Sequence, residues 1–335
     1  MTDKPFAERT GPRTRDVLVD AERRLARAEV PSPRFDAETL LAFVLGVPRT
    51  KLFLHDTLDR PDASKFERLV IRRMTREPLQ HIIGETGFRH LNLKVGKGVF
   101  VPRPETEVVV EAALRELRHL PTDANGRRIV IDMCAGSGAI ALAVATEEPG
   151  TDVLAVELSA DATVWLQLNV DENAQTLAAA GSRVSVVNAD VATIGRGLFD
   201  QFAGQVSLVV SNPPYIPDRM VPRDPEVAIH DPNLALFGGT DGLDVIRQVA
   251  AASARMLPVG GVLVVEHADV QGPEAHNGVP KLLMDAGWAD VIDLQDLTGK
   301  PRFTRATRTA TTSVEPIASQ GPEVFWHNNG PGDPA

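Results

Sequence analysis

From residue 105 to about residue 308 the chain alternates short runs rich in valine, isoleucine and leucine with longer stretches of helical periodicity, and few architectures accept that rhythm. The runs are RIVIDM, DVLAVEL, RVSVVNAD, VSLVVSN and GGVLVVEH. Near-continuous apolar runs suit strands covered on both faces, and strands linked by helices pack as a parallel sheet between two helical layers. The expected fold class is therefore α/β, a doubly wound, mostly parallel sheet. In such a sheet ligands bind beyond the carboxyl ends of the strands, so the residues that follow each run carry the functional information.

Ahead of this region, residues 14–76 read as short helices. TRDVLVDAERRLARAEV places Val17, Leu18, Ala21 and Leu25 on one stripe, with Thr14 as the expected N-cap. DAETLLAFVLGV and DASKFERLVIRRM repeat the pattern between breaks at Gly46, Pro48 and Pro61. A helical domain is expected over residues 1–80. In GFRHLNLKVGKGVFVPRPETE, the apolar Phe88, Leu91, Leu93 and Val95 lie beside the turn signal Gly96-Lys97-Gly98, which predicts a hairpin-like connector over residues 81–104. The α/β domain follows over residues 105–310. Residues 311–335, rich in proline, glycine and polar side chains, are expected to be disordered. No period of repeat architectures recurs, so the chain is not a solenoid.

With 335 residues, 43% of them hydrophobic, the chain can bury two cores. Its first residues, MTDKPFAERTGPRTRD, are charged throughout, and no window approaches the ~18 apolar residues of a membrane span, so a soluble, cytoplasmic protein is expected. The lone cysteine, Cys134, excludes an internal disulfide and a cysteine metal site, and no metal is expected. A net charge of −10 argues against stable nucleic-acid binding, which draws most of its affinity from lysine and arginine on phosphates. The charge is uneven: residues 1–80 hold 16 basic against 13 acidic side chains, and the remainder 19 against 32.

Past RIVIDM the chain reads Cys134-Ala135-Gly136-Ser137-Gly138 before a helical stretch. Small residues at a strand-to-helix turn let a ligand approach bare backbone, and the helix start offers unpaired N–H groups. Glu157 ends the next run 19 residues beyond Gly138, a position from which a carboxylate reaches the hydroxyls of a ribose. Asp190, after the third run, can accept a hydrogen bond from an adenine amino group. Two ligands fit: S-adenosylmethionine and, because Gly136-x-Gly138-x-x-Ala141 satisfies the looser dinucleotide fingerprint, a nicotinamide dinucleotide serving an oxidoreductase.

The fourth run ends in Asn212-Pro213-Pro214-Tyr215, which contains the only tyrosine of the chain. A dehydrogenase has no use for this sequence, whereas methyl transfer to a planar amide or base nitrogen does. The nitrogen lone pair is delocalised there, and hydrogen-bond acceptors aimed at both N–H groups favour the ammonium-like nitrogen that develops. The Asn212 side-chain oxygen and the Pro213 carbonyl are suitable acceptors. The prolines fix φ and remove competing donors, and the Tyr215 ring offers a face on which a planar group can stack.

With these motifs in this order, the chain resembles the protein-(glutamine-N5) methyltransferases that act on peptide-chain release factors, a class I S-adenosylmethionine-dependent family with a Rossmann-like fold. The likeness runs from about residue 14 to residue 308. It includes EPLQHIIGE (77–85), VFVPRPETE (99–107), HDPNLALFGGTDGLD (230–244) and LPVGGVLVVEHADVQG (257–272). The resemblance implies S-adenosyl-L-methionine as cofactor, with contacts from Cys134, Ala135, Gly136, Ser137, Gly138, Glu157, Asp190, Val191 and Asn212. It implies substrate contacts from Asn212, Pro213, Pro214 and Tyr215, with Asn212, Pro213 and Tyr215 catalytic. The implied substrate is the glutamine of the Gly-Gly-Gln tripeptide of release factors, docked with help from the helical domain. Departures from the family pattern are Cys134 for a glycine, Ala135 for a threonine, Val191 for an aromatic, His81 for a tyrosine and His267 for a glycine. The two histidines are expected to be changes of local packing. A DNA adenine or ribosomal RNA guanine methyltransferase shares the Asn-Pro-Pro-Tyr tetrapeptide and remains an alternative, as does the oxidoreductase.

Overall fold

The computed structural model describes residues 11–197 and 199–317. Helices α1 (Thr14–Arg27), α2 (Pro33–Leu45), α3 (Arg60–Met74) and α4 (Leu79–Ile83) come first, followed by strands β1 (Glu85–Phe88) and β2 (Leu91–Lys94). Next come α5 (Thr106–His119), β3 (Arg128–Met133), α6 (Ala139–Glu147), β4 (Thr151–Glu157), α7 (Ala160–Glu172), α8 (Ala174–Ala179), β5 (Arg183–Asn188) and β6 (Leu208–Ser211). The chain continues through α9 (Pro225–His230), α10 (Asn233–Leu236), α11 (Asp244–Met256), β7 (Val262–Glu266), α12 (Val279–Asp285), β8 (Ala289–Gln295) and β9 (Pro301–Thr307).

These elements form two compact units, one reaching to Glu85 and taking in Pro222–His230, the other made of the rest. In the helical unit, Leu18, Leu25, Leu40, Leu41, Phe66 and Val70 pack into one core. Helix α3 starts where the sequence supplies the cap: the Asp59 carboxylate accepts from the Asp62 N–H at 2.8 Å. Helix α1 starts otherwise. Thr14 is not its N-cap but its first residue, buried, with a hydroxyl that has no partner among the described residues. The entry is fixed by backbone pairing instead, because the Thr14 N–H donates to the Asp56 carbonyl at 3.0 Å and Arg13 bridges Thr57. The helical unit extends beyond residue 80, and its annexation of α9 was not foreseen. The reason is Arg73, a buried guanidinium that donates to Asp36 at 2.7 Å and to Glu226 at 2.5 Å. A buried charge stripped of a partner is strongly destabilising, so Glu226 holds its short helix to this unit.

The expected hairpin turn also moves. β1 and β2 form a two-stranded sheet, and the bend between them is Arg89-His90 rather than Gly96-Lys97-Gly98. Arg89 takes a left-handed φ of 52° because its side chain is gathered by carboxylates, donating to Glu147 at 2.5 Å and to Glu111 at 3.2 Å. The glycines turn the chain against α7, where the Trp165 indole donates to the Lys97 carbonyl at 3.2 Å.

The second unit is a seven-stranded sheet of order β5-β4-β3-β6-β7-β9-β8. Strands β3 to β7 pair in parallel, and β9 lies antiparallel to both β7 and β8. One helical layer packs Val109, Leu114, Leu117, Leu142 and Val144 against one face of the sheet; Ile246, Val249, Met256 and Leu283 cover the other. Helix α6, AIALAVATE, is buried all round its first seven residues, as an apolar helix must be. The last two strands escaped the sequence reading because β8 alternates between partly buried and exposed residues at the sheet edge. Of the expected disordered tail, residues 311–313 are attached, with the Thr312 hydroxyl donating to the Gly287 carbonyl at 3.0 Å and the Ser313 N–H to the Ala286 carbonyl at 2.8 Å. Residues 318–335 lie outside the described residues.

Candidate active site

The strand order runs from β3 to β4 and β5 on one side and to β6 and β7 on the other, so the loops leaving β3 and β6 diverge and open a crevice between them. The register aligns the strand ends: Met133 stands beside Val156 and Ser211, Glu157 beside Asn188, and Ser211 beside Val265. All the residues singled out in the sequence therefore follow the carboxyl ends of adjacent strands. Cys134, Ala135, Gly136, Ser137 and Gly138 leave β3, Glu157 ends β4, Asp190 and Val191 follow β5, and Asn212, Pro213, Pro214 and Tyr215 follow β6.

The loop after β3 bends through three left-handed residues, Cys134 at φ 64°, Gly136 at 55° and Gly138 at 84°. A Cβ at Gly136 would meet no atom within 4 Å, so the loop presents bare backbone to open space. Glu157 is fastened to it, its carboxylate accepting from the Gly136 N–H at 2.8 Å and from the Ser159 N–H at 2.7 Å. Burial pushes this carboxyl up, and the N–H groups oppose the shift. The Asn169 amide pins the loop from the other side, donating to the Ser137 carbonyl at 2.9 Å and to the Lys94 carbonyl at 3.0 Å. Cys134 bears a side chain where a glycine would sit unstrained, at a cost of roughly 1–2 kcal/mol. Burial and then the Glu157 charge push its thiol up, so it stays protonated and is a poor nucleophile. Beneath the loop, Asp132 is fully buried. One of its oxygens accepts from the Ala141 N–H at 2.9 Å, the other has no partner among the described residues, and burial pushes the carboxyl up to about 8.

Asp190 is exposed and caps the turn that follows, accepting from the Ala192 N–H at 2.9 Å. Val191 packs into the core layer, 6% exposed. His267 is fully buried, with its Nε2 2.9 Å from Asp293 and 3.0 Å from the Thr304 hydroxyl, a packing cluster inside the sheet.

On the β6 side, the Asn212 Nδ2 donates to the Thr106 hydroxyl at 3.2 Å, and among the described residues nothing donates to its Oδ1. The loop behind it is clamped. The buried Gln271 amide donates to the Tyr215 carbonyl at 3.1 Å and reaches the Gly242 carbonyl at 3.4 Å. Gly242 has φ +77° and lies so close that a Cβ there would stand 2.3 Å from the Tyr215 carbonyl oxygen. Burial and then the charge of Glu266 push the Tyr215 phenol up. Glu266 ends β7, 2% exposed, next to the strand that carries Asn212. One of its oxygens has no partner among the described residues. Burial raises its carboxyl to about 7 against the opposing pull of the neighbouring Thr106 hydroxyl and of the Arg302 charge. Asp132, Thr106 and Glu266 were missed in the sequence, although an acidic residue at the very end of an apolar run, as in RIVID and VLVVE, was a legible signal. Among the described residues no group of three or more histidine, cysteine, aspartate or glutamate side chains is placed to hold a metal ion, and no helix is long and apolar enough to cross a membrane.

Comparison with known proteins places this site in context. Residues 16–84 match the PrmC N-terminal domain and residues 112–224 the methyltransferase small domain. The release factor glutamine methyltransferase of Streptomyces coelicolor is 47% identical over 87% of this chain and 96% of its own. Its counterpart from Mycolicibacterium smegmatis is 45% identical over 89% of this chain and 99% of its own. That of Bifidobacterium longum is 38% identical over 86% and 97%. At these identities, over nearly the whole of each relative, the chain belongs to the release factor glutamine methyltransferase family.

Proposed function

We propose that the protein transfers the methyl group of S-adenosyl-L-methionine to the side-chain amide nitrogen of the glutamine in the Gly-Gly-Gln motif of peptide-chain release factors, giving N5-methylglutamine. The observation that carries this reading is the Asn-Pro-Pro-Tyr loop at the switch point of the sheet, with Asn212 turned so that its donor is occupied by Thr106 and its oxygen is left to accept.

The residues present fit the cofactor. Backbone at Gly136 faces open space without a side chain, and a carboxylate at Glu157 is fastened beside it. Cys134, Ala135, Gly136, Ser137 and Gly138 would border the amino-acid part, Glu157 the ribose hydroxyls, Asp190 and Val191 the adenine, with Asn212 on the far side. When bound, S-adenosylmethionine supplies a methyl group on a sulfonium, an electrophile that a neutral nitrogen can attack. Asn212 Oδ1 and the Pro213 carbonyl would then accept the two amide hydrogens, which concentrates the lone pair on nitrogen and stabilises the positive charge that develops there. Pro213 and Pro214 keep donors away, and the Tyr215 ring supplies a stacking face. No side chain needs to remove a proton beforehand, because the proton leaves only after the nitrogen has become cationic.

The helical unit, matched to the PrmC N-terminal domain, is the proposed docking element for the release factor. Reaction in the cytoplasm belongs to this reading, and the net charge of −10 argues against stable nucleic-acid binding. The test is incubation of the full chain with tritiated cofactor and a purified class I release factor, followed by mass spectrometry. The Gly-Gly-Gln peptide should gain the mass of one methylene, and the label should vanish when that glutamine is changed. Labelling of DNA or ribosomal RNA with the release factor untouched would replace this reading with the nucleic-acid enzyme.

A further inference from the structure

Asn212 can serve as an acceptor only if its amide is held in one of its two orientations, and nothing in its own sequence decides which. We infer that Thr106, lodged beside the buried Glu266 and bonded to the Asn212 amide, is the positioning residue that fixes the Asn212 side chain with its oxygen toward the substrate. The proposal rests on the reading of Asn212 as the amide acceptor. It adds the device that makes Asn212 one.

A threonine hydroxyl has one proton to give and lone pairs to accept with. Thr106 is 3% exposed at the first turn of α5, between the ends of β6 and β7. On one side Thr106 faces the buried Glu266 carboxyl and favours its ionised form, and on the other its hydroxyl accepts from the Asn212 Nδ2 at 3.2 Å. A buried carboxylate accepts only, so an ionised Glu266 draws the hydroxyl hydrogen to its own side and leaves Thr106 an acceptor toward Asn212. The amide must then offer its NH2 to Thr106. The reverse orientation would bring two acceptors together, and an unmet buried polar group is costly. Ser211 completes the seat, because its hydroxyl donates to the Met133 carbonyl at 2.6 Å and holds the residue before Asn212 to β3.

The groups that face Glu266 are Arg302 from β9, Glu105 and Thr106 at the start of α5, and Tyr215 from the loop after β6. Arg302 favours the ionised form, whereas burial and Glu105 oppose it, so that the carboxyl titrates at about 7. Below that pH the carboxyl carries its own proton, can donate to Thr106, and no longer dictates which way the hydroxyl points. The lock on Asn212 therefore holds above about 7 and loosens below it.

The experiment is steady-state methylation of a purified release factor by the full-length enzyme at saturating cofactor, with Thr106→Val, Thr106→Ser, Asn212→Ala and the double variant Thr106→Val/Asn212→Ala. Calorimetric binding of S-adenosylmethionine and a melting curve confirm that each variant is folded. Thr106→Val, nearly isosteric but without the hydroxyl, should lower kcat roughly 10- to 100-fold, the scale of a misplaced reacting group, with cofactor affinity unchanged. Thr106→Ser should restore most of the rate. In the Asn212→Ala background Thr106→Val should add nothing, since a positioning residue acts only through what it positions. The wild-type kcat should rise with pH through about 7, and this rise should be absent in Thr106→Val. Equal losses from Thr106→Val in both backgrounds, or a pH rise that survives it, would overturn the inference. An active Asn212→Ala would instead defeat the acceptor reading itself, whereas an impaired Asn212→Ala beside a fully active Thr106→Val defeats the inference alone.

Discussion

Gly242→Ala tests whether the loop after β6 must be placed to within an ångström. The position has φ +77°, and the added Cβ would stand 2.3 Å from the Tyr215 carbonyl oxygen and 3.1 Å from both the Gln271 amide nitrogen and the Pro217 ring. Ordinary contact begins near 3.4 Å, so the Tyr215 carbonyl must retreat by about 1.1 Å, the difference between 3.4 and 2.3 Å. It cannot retreat without loosening the Gln271 amide that donates to it at 3.1 Å. The left-handed backbone adds roughly 1–2 kcal/mol of strain for alanine, and each kcal/mol lowers Tm by about 2–4 °C in a unit of this size. A shift of about 1 Å in a group that positions substrate costs on the order of 100-fold in rate. Apart from Asn212 the cofactor-side residues leave other strands, so S-adenosylmethionine affinity should fall far less than kcat. The assay pairs kcat on a purified release factor with calorimetric cofactor binding. A kcat equal to wild type would refute the claim that Gly242 sets the loop, and an equal loss of cofactor affinity would show that the effect is a general disturbance.

Glu157→Ala removes the carboxylate that the Gly136 and Ser159 N–H groups hold in place, and with it the proposed ribose acceptor. A charge-assisted bond is worth roughly 1.5–3 kcal/mol, so calorimetry should show cofactor binding weakened about 10- to 150-fold; unchanged affinity would contradict the ribose assignment. Tyr215→Phe should keep most of the activity and Tyr215→Ala lose far more in the same release factor assay, since the ring face is what stacks; the opposite ranking would assign the work to the hydroxyl. Asp132 is pushed from 3.8 up to about 8 by burial, so the folded protein binds its proton more tightly than the unfolded chain does. Its contribution to stability is therefore complete below about 4 and declines as pH rises toward 8. Urea midpoints of the cofactor-free protein should fall across that range, with a shallower slope in Asp132→Asn, and an unaltered slope would rule Asp132 out as the cause.

Much of the fold was legible because it follows from local pattern. The five apolar runs became the parallel strands β3 to β7, and the stripe Leu18, Ala21, Leu25 became the buried face of α1. The last two strands were not legible, since β8 is a half-exposed edge strand that alternates weakly and β9 runs antiparallel between it and β7. Thr14 misled as an N-cap because its own N–H bond to the carbonyl of Asp56, distant in sequence, fixes the entry of α1. The turn moved to Arg89 for a similar reason, since three glutamates from α5 and α6 make a left-handed arginine tolerable.

The candidate site divides in the same way. The sequence by itself determined which residues follow the strand ends, because in a parallel sheet every strand end points to the same rim. It also determined that Asn212, Pro213 and Tyr215 would be stiffly presented, because proline fixes its own backbone. Only the tertiary structure decided what stands beside them. Glu266 follows the strand end that the register of β6 with β7 sets beside Ser211, and Thr106 comes to Asn212 from a helix that begins 106 residues before it in the chain. Hydrogen bonds of that separation leave no trace in local periodicity, because they are set by which strands become neighbours when the two cores close.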